Sequence, residues 1–195
     1  MTTQSRREDI LRLINKFFQD FDLLFNSIDK LNDPDKIIEM IQEAKDDKIA
    51  VQLVFRLAYL DEKKIAKLLR ESKDEIIKQF GIFILKDEET LGEIARNEKS
   101  IWTALSAVAK ITDQSILFEL ASNPTLFSSV RWEALRRIND EELLIKLAEI
   151  DVDEHWVKAV ISKIESEENL LILRLTLKDK FQPYISNRLQ SLSAI

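Results

Sequence analysis

The stretch RRINDEELLIKLA (136–148) sets an apolar residue, one spacer and an acid in front of an apolar helical pattern. The same order returns in YLDEKKIAKLL from Tyr59, LKDEETLGEIA from Leu85 and ITDQSILFELA from Ile111. Working outward, junction acids fall at Asp33, Asp61, Asp87, Asp113 and Asp140, and Ser166 continues the series, with separations of 28, 26, 26, 27 and 26 residues. Two residues before each lies an apolar anchor: Leu31, Tyr59, Leu85, Ile111, Ile138 and Ile164. Self-similarity at this spacing marks an array of stacked supersecondary units.

Asp and Ser suit the junctions because their side-chain oxygens accept hydrogen bonds from the orphan N–H groups of the next helix's first turn. Further acids follow at Glu62, Glu88–Glu89, Glu141–Glu142 and Glu167–Glu168, at the positive end of each helix dipole. After Asp33 comes Pro34, whose missing N–H costs nothing at that position. Basic residues before the junctions (Lys110, Arg137, Lys163) match the negative end of the helix they close. Apolar residues four, seven and eight places after the junctions define one helical face: Ile37, Met40, Ile41; Ile65, Leu68, Leu69; Leu91, Ile94, Ala95; Leu117, Leu120, Ala121; Leu144, Leu147, Ala148.

A second helix completes each unit, and the sequence predicts these at 49–60, 75–86, 101–111, 126–138, 154–164 and 181–192. Residues 6–31 read either as a first helix pair or as one long helix, since Ile10, Ile14, Phe17, Phe21, Leu24, Ile28 and Leu31 step by four and three. The expected organisation is one all-α domain over 1–195, made of about seven stacked antiparallel helix pairs. N-terminal capping helices occupy 1–32, repeats of 26–28 residues fill 33–165, and a capping pair closes 166–195. One pair cannot hide its own apolar face, so neighbours must stack on it.

Composition narrows the function classes. With two glycines (Gly81, Gly92) and three prolines (Pro34, Pro124, Pro183), the chain lacks the turn residues of sheet proteins and phosphate-binding loops. No cysteine excludes disulfides, thiolate zinc sites and cysteine nucleophiles. The start MTTQSRREDI has no signal-peptide pattern, and no run of apolar residues is long enough to span a bilayer, so a cytoplasmic location is expected. A net charge of −6 opposes general attraction to nucleic acid or anionic lipid. His155 is the single histidine, so no histidine pair can hold a metal within the chain; DVDEH (151–155) reads as a loop and helix start. No nucleophile elbow, P-loop, dinucleotide fingerprint or H-E-x-x-H motif occurs, so neither catalysis nor a cofactor is expected.

The segments SSVRWEALRRI (128–138) and DEHWVKAVISKI (153–164) resemble the second helices of HEAT-like α-solenoid repeats, with Val130–Arg131 and Val157–Lys158 carrying the likeness. The resemblance is clearest over 87–166. It implies a right-handed α-α superhelix, with first helices on the convex face and second helices on the concave one. It also implies that Arg131 is a structural ladder residue. The Val-Arg step is absent at Trp102–Thr103 and around Ile76–Lys78, where such a ladder would be interrupted.

Helical phase gives the candidate contact residues. At 100° per residue, Trp132 and Lys158 lie about 120° from their unit's core direction, Arg136 about 160°, and Trp102 and His155 about 180°. Trp156 lies roughly 80° away, on the packed side, and Arg131 about 20°. Trp and Arg side by side are the types enriched at binding hot spots. Two readings of Trp102 and Trp132 stand, a partner surface and gap-filling between units. The leading expectation is a protein-binding scaffold, adaptor or inhibitor of immunity type, gripping a partner protein through Trp102, Trp132, Arg136, His155 and Lys158. The alternative is a nucleic-acid-binding protein similar to HEAT-like alkylpurine glycosylases, in which Trp102, Trp132, Glu133, Arg136 and Lys158 would form the cleft. The phenylalanines Phe17, Phe18, Phe21 and Phe25 serve either the core or a weak homo-oligomer; otherwise the chain is expected to be a monomer.

Overall fold

The computed structural model describes residues 27–150 and 153–193, and no strand occurs among them. Both the question of one helix or two over 6–31 and the use of Phe17, Phe18, Phe21 and Phe25 fall outside the described residues. The chain divides into two compact units, Met1–Leu85 and Lys86–Ile195. The first holds α1 (Pro34–Glu43), α2 (Asp47–Leu60), α3 (Glu62–Glu71) and α4 (Glu75–Ile84). The second holds α5 (Glu88–Asn97), α6 (Ile101–Val108), α7 (Gln114–Ser122), α8 (Ser128–Arg137), α9 (Glu141–Ile150) and α10 (Glu154–Lys163). It ends with α11 (Glu167–Thr176), a 3-10 turn at Asp179–Phe181 and α12 (Gln182–Ser193).

Side-chain oxygens start most of these helices. Asp33 accepts from the N–H groups of Asp35 and Lys36, and Asp113 from those of Ser115 and Ile116. Asp61 and Asp87 accept from Lys64 and Thr90, Asp140 from Glu142 and Leu143, and Ser166 from Asn169. Second helices are capped in the same way by Asp46, Asp74, Ser100 and Asp153. Helix α8 differs: an Asn123 turn accepting from the Thr125 N–H and hydroxyl occupies the loop, and the helix begins at Ser128 rather than 126. Most helices end on an extended residue, and no described residue has positive φ. Corners made this way need no left-handed glycine. Gly81 and Gly92 instead lie inside α4 and α5, buried against Leu69 and Ile116.

Within the first unit, α2 packs on α1, α3 and α4, and α3 packs on α4. Within the second, each first helix packs on its own partner, and α5, α7, α9 and α11 also contact one another in that order. Their partners α6 and α8, and α10 and α12, do the same, so the second unit has two rows. The apolar positions after each junction are buried, with Met40 half-buried. One anchor is corrected. Tyr59 is 81 % exposed, while Leu57 is fully buried. Helix α2 has 14 residues, and its last turn carries Tyr59 outward beneath the Arg56 guanidinium at 5.3 Å.

Two ladders of long-range hydrogen bonds repeat with the period. In the first, a basic residue on a second helix reaches the carbonyl that ends the preceding second helix. Arg56 Nε donates to Leu31 O at 2.8 Å, the Arg137 guanidinium to Ile111 O at 3.1 Å and Arg188 Nε to Ile164 O at 2.9 Å. Lys163 Nζ does the same to Arg136 O at 3.0 Å. In the second ladder, the residue after each of the junction acids Asp87, Asp113 and Asp140 receives the N–H groups of the next junction. Glu88 accepts from Thr112 and Asp113, Gln114 from Asn139 and Asp140, and Glu141 from Glu165 and Ser166. These bonds satisfy backbone groups at helix ends that the helices themselves leave unpaired.

Candidate binding groove on the second helices

The site begins with a tryptophan pair. Trp156, on α10, is buried, and Trp132 on α8 meets it edge to face with ring centroids 4.9 Å apart. The Arg131 guanidinium lies 4.5 Å from the Trp156 ring centroid and donates through Nε to Ala121 O at 2.9 Å. Trp156 is thereby held by an indole and a cation, an arrangement that its electron-rich faces and electropositive edge favour. Its Nε1 has no hydrogen-bond partner among the described residues. Trp132 in turn keeps 41 % of its surface exposed.

Beside the Trp132 ring lies a cleft of about 440 Å³ between α8 and α10, lined by Ser129, Trp132, Glu133, Leu135 and Arg136 and, opposite, by Ala159, Ser162 and Lys163. Ala159 and Ser162 are short, and this leaves the space open across from the indole. The Ser129 hydroxyl is buried there with no partner among the described residues. Arg136 forms two bonds to Glu133, at 2.6 and 2.9 Å. That pairing, opposed by partial burial and helped by the charges of Arg136 and Arg137, holds the Glu133 carboxyl below its ordinary range; the same pairing raises Arg136. Both are ionised at neutral pH, and the two bonds orient the exposed guanidinium along the rim.

The sequence candidates are thus distributed unevenly. Trp132 and Arg136 come together in the cleft. Lys158 belongs to a different cluster: its Nζ lies 4.2 Å above the Tyr184 ring and 2.9 Å from Glu154, which also accepts from the Tyr184 hydroxyl at 3.0 Å. His155 is exposed in the first turn of α10, and Trp102 stands 76 % exposed on α6. Lys163, Ser129, Ala159 and Ser162 were missed as cleft residues. Their signal is small residues three apart, Ala159 and Ser162, on the helix that faces an exposed tryptophan.

Among the described residues, no group of three or more His, Asp or Glu could hold a metal, and no helix is long and apolar enough to cross a membrane. The rows, the caps and the two ladders define an all-α protein of helical repeat-like build. The chain matches no known family model and no curated protein, so this class rests on the geometry of the chain itself.

Proposed function

We propose that this is a protein-binding α-solenoid of the HEAT-like kind, and that the α8–α10 cleft grips a segment of a partner protein. The reading rests on one observation, the open cleft beside a half-covered tryptophan. A large ring over a floor of Leu135 and Ala159 favours an apolar side chain, and desolvating that contact would supply most of the affinity. Arg136 and Lys163 at the rim favour an acidic residue next to it in the partner segment, chiefly through steering and orientation. No cofactor is required, and a scaffold, adaptor or inhibitor role fits this chemistry.

The experiment compares wild-type chain with the Trp132→Ala/Arg136→Ala variant as bait in the native host. Proteins retained by the first and lost by the second are then purified and titrated against both chains by calorimetry. A partner that binds both equally would remove the cleft from the reading. Salt-dependent retention of duplex DNA by wild type, lost in the variant, would instead revive the glycosylase-like alternative.

A further inference from the structure

Helix α11 breaks a rule that the earlier first helices keep. Six and nine residues after each junction lie two outward positions. They are Glu39 and Gln42, Lys67 and Arg70, Glu93 and Arg96, Glu119 and Ser122, and Lys146 and Glu149 in the first five units. Every one is polar, as solvent contact requires, and Arg96 bonds to Glu119 across two of these helices at 2.8 Å. In α11 the same positions are Ile172 and Leu175, and Leu171 lies beside them. Leu175 is 88 % exposed, and Leu171 and Ile172 are exposed as well, while the inward face is filled by buried Leu170 and Leu173. Glu168, Leu171, Ile172 and Leu175 follow the i, i+3, i+4, i+7 spacing of a helix seam.

Charge along this seam is polarised. Glu167 and Glu168 stand at its start, and Arg174 and Lys178 at its end, all exposed. Among the described residues, no side-chain partner holds Glu168, Arg174 or Lys178. An acidic head, an apolar middle and a basic tail complement a second helix of the same sequence running the opposite way. We propose that α11 is a self-association surface. It packs against α11 of a second copy about a two-fold axis, with Leu171 against Leu175 of the second copy and Glu168 opposite its Lys178. An interface of this isologous kind closes on itself and produces a dimer, not a filament. The proposal is independent of the α8–α10 cleft.

Sedimentation equilibrium of the full chain over a concentration series tests it, with circular dichroism to check that each variant is folded. Wild type should pass from monomer to dimer. Leu175→Glu alters an exposed residue and removes two leucines from the interface at once, so association should weaken on the order of a hundredfold. Glu168→Lys and Lys178→Glu should each weaken it, and the two together should restore it. Because the chain has no cysteine, a mixture of Leu171→Cys and Leu175→Cys chains should form a disulfide more readily than either alone. A chain that stays monomeric at every concentration, a dimer that Leu175→Glu leaves intact, or cysteine variants that cross-link mainly with themselves would overturn the proposal. So would a monomer that binds phosphatidylcholine vesicles through Leu175, which would leave the stripe to a membrane surface.

Discussion

The guanidinium of Arg137 closes on the carbonyl of Ile111, twenty-six residues earlier, with Nε and Nη2 at 3.2 and 3.1 Å. One side chain thus completes the chain end of the preceding second helix, α6, and Ile111 is itself fully buried. Arg137→Ala should strand that carbonyl and cost about 1–3 kcal/mol. Arg137→Lys should recover part of the loss, because Lys163 makes the equivalent contact with an ammonium. Urea unfolding followed by circular dichroism reads both; equal midpoints for wild type and Arg137→Ala would show that water substitutes for the arginine.

The acceptor ladder makes a different prediction. Gln114 occupies the position of Glu88 and Glu141 and accepts the same pair of N–H groups without a charge. Glu141→Gln should therefore be mild, and Glu141→Ala should cost about 1 kcal/mol. An equal loss from both substitutions would mean that charge, not hydrogen-bond geometry, holds the rung.

Acidity should weaken the fold through these same groups. Partial burial raises Glu88 and Glu141. Hydrogen bonds outweigh it, from Thr112 and Asp113 to Glu88 and from Asn169, Glu165 and Ser166 to Glu141, and the nearby charges of Arg137 and Arg188 add to them. Both carboxyls end below the ordinary value of 4.5. A depressed folded-state pKa contributes stability that is present above the unfolded value and lost as pH falls through the folded one. Urea midpoints should fall below about pH 4.5, and the Glu88→Gln/Glu141→Gln chain should show a shallower fall.

Helix propensity and packing conflict at Gly81. Alanine is favoured over glycine inside a helix by about 1 kcal/mol. Here, however, an added methyl would run into the side chain of buried Leu69, meeting its Cγ at 2.9 Å. Gly81→Ala should destabilise by about 1–3 kcal/mol, the usual range for overpacking. A rise in melting temperature would show that α3 and α4 can separate without loss.

Trp132 is both cleft wall and partner of Trp156, so its removal is not silent in the fold. Trp132→Ala should lose about 0.5–1.5 kcal/mol of ring pairing besides buried area, and Trp132→Phe should lose less. Arg136→Ala should leave the melting temperature unchanged, because its guanidinium is exposed and bonds within its own helix. Scanning calorimetry separates the two, and a large loss from Arg136→Ala would make it a structural residue.

Local chemistry in the sequence determined the helical hairpins. A cap acts over two or three residues, so Asp33, Asp113 and Ser166 can be read from their own neighbourhoods, and the apolar face after each junction follows from 3.6 residues per turn. The exposed position of Trp102 and the burial of Trp156 are likewise matters of helical phase. Phase failed at Tyr59, where α2 runs on beyond its last core residue, Leu57. Only tertiary structure decided which neighbour meets each face. Lys158 and Lys163 are five residues apart on α10, yet one is bound to Tyr184 on α12 and the other to the end of α8. The rungs from Arg137 to Ile111 and from Glu141 to Ser166 join residues separated by a whole repeat. Such pairs exist only once the units stack, because sequence fixes a side chain's angle on its own helix and stacking supplies the atom it finds there.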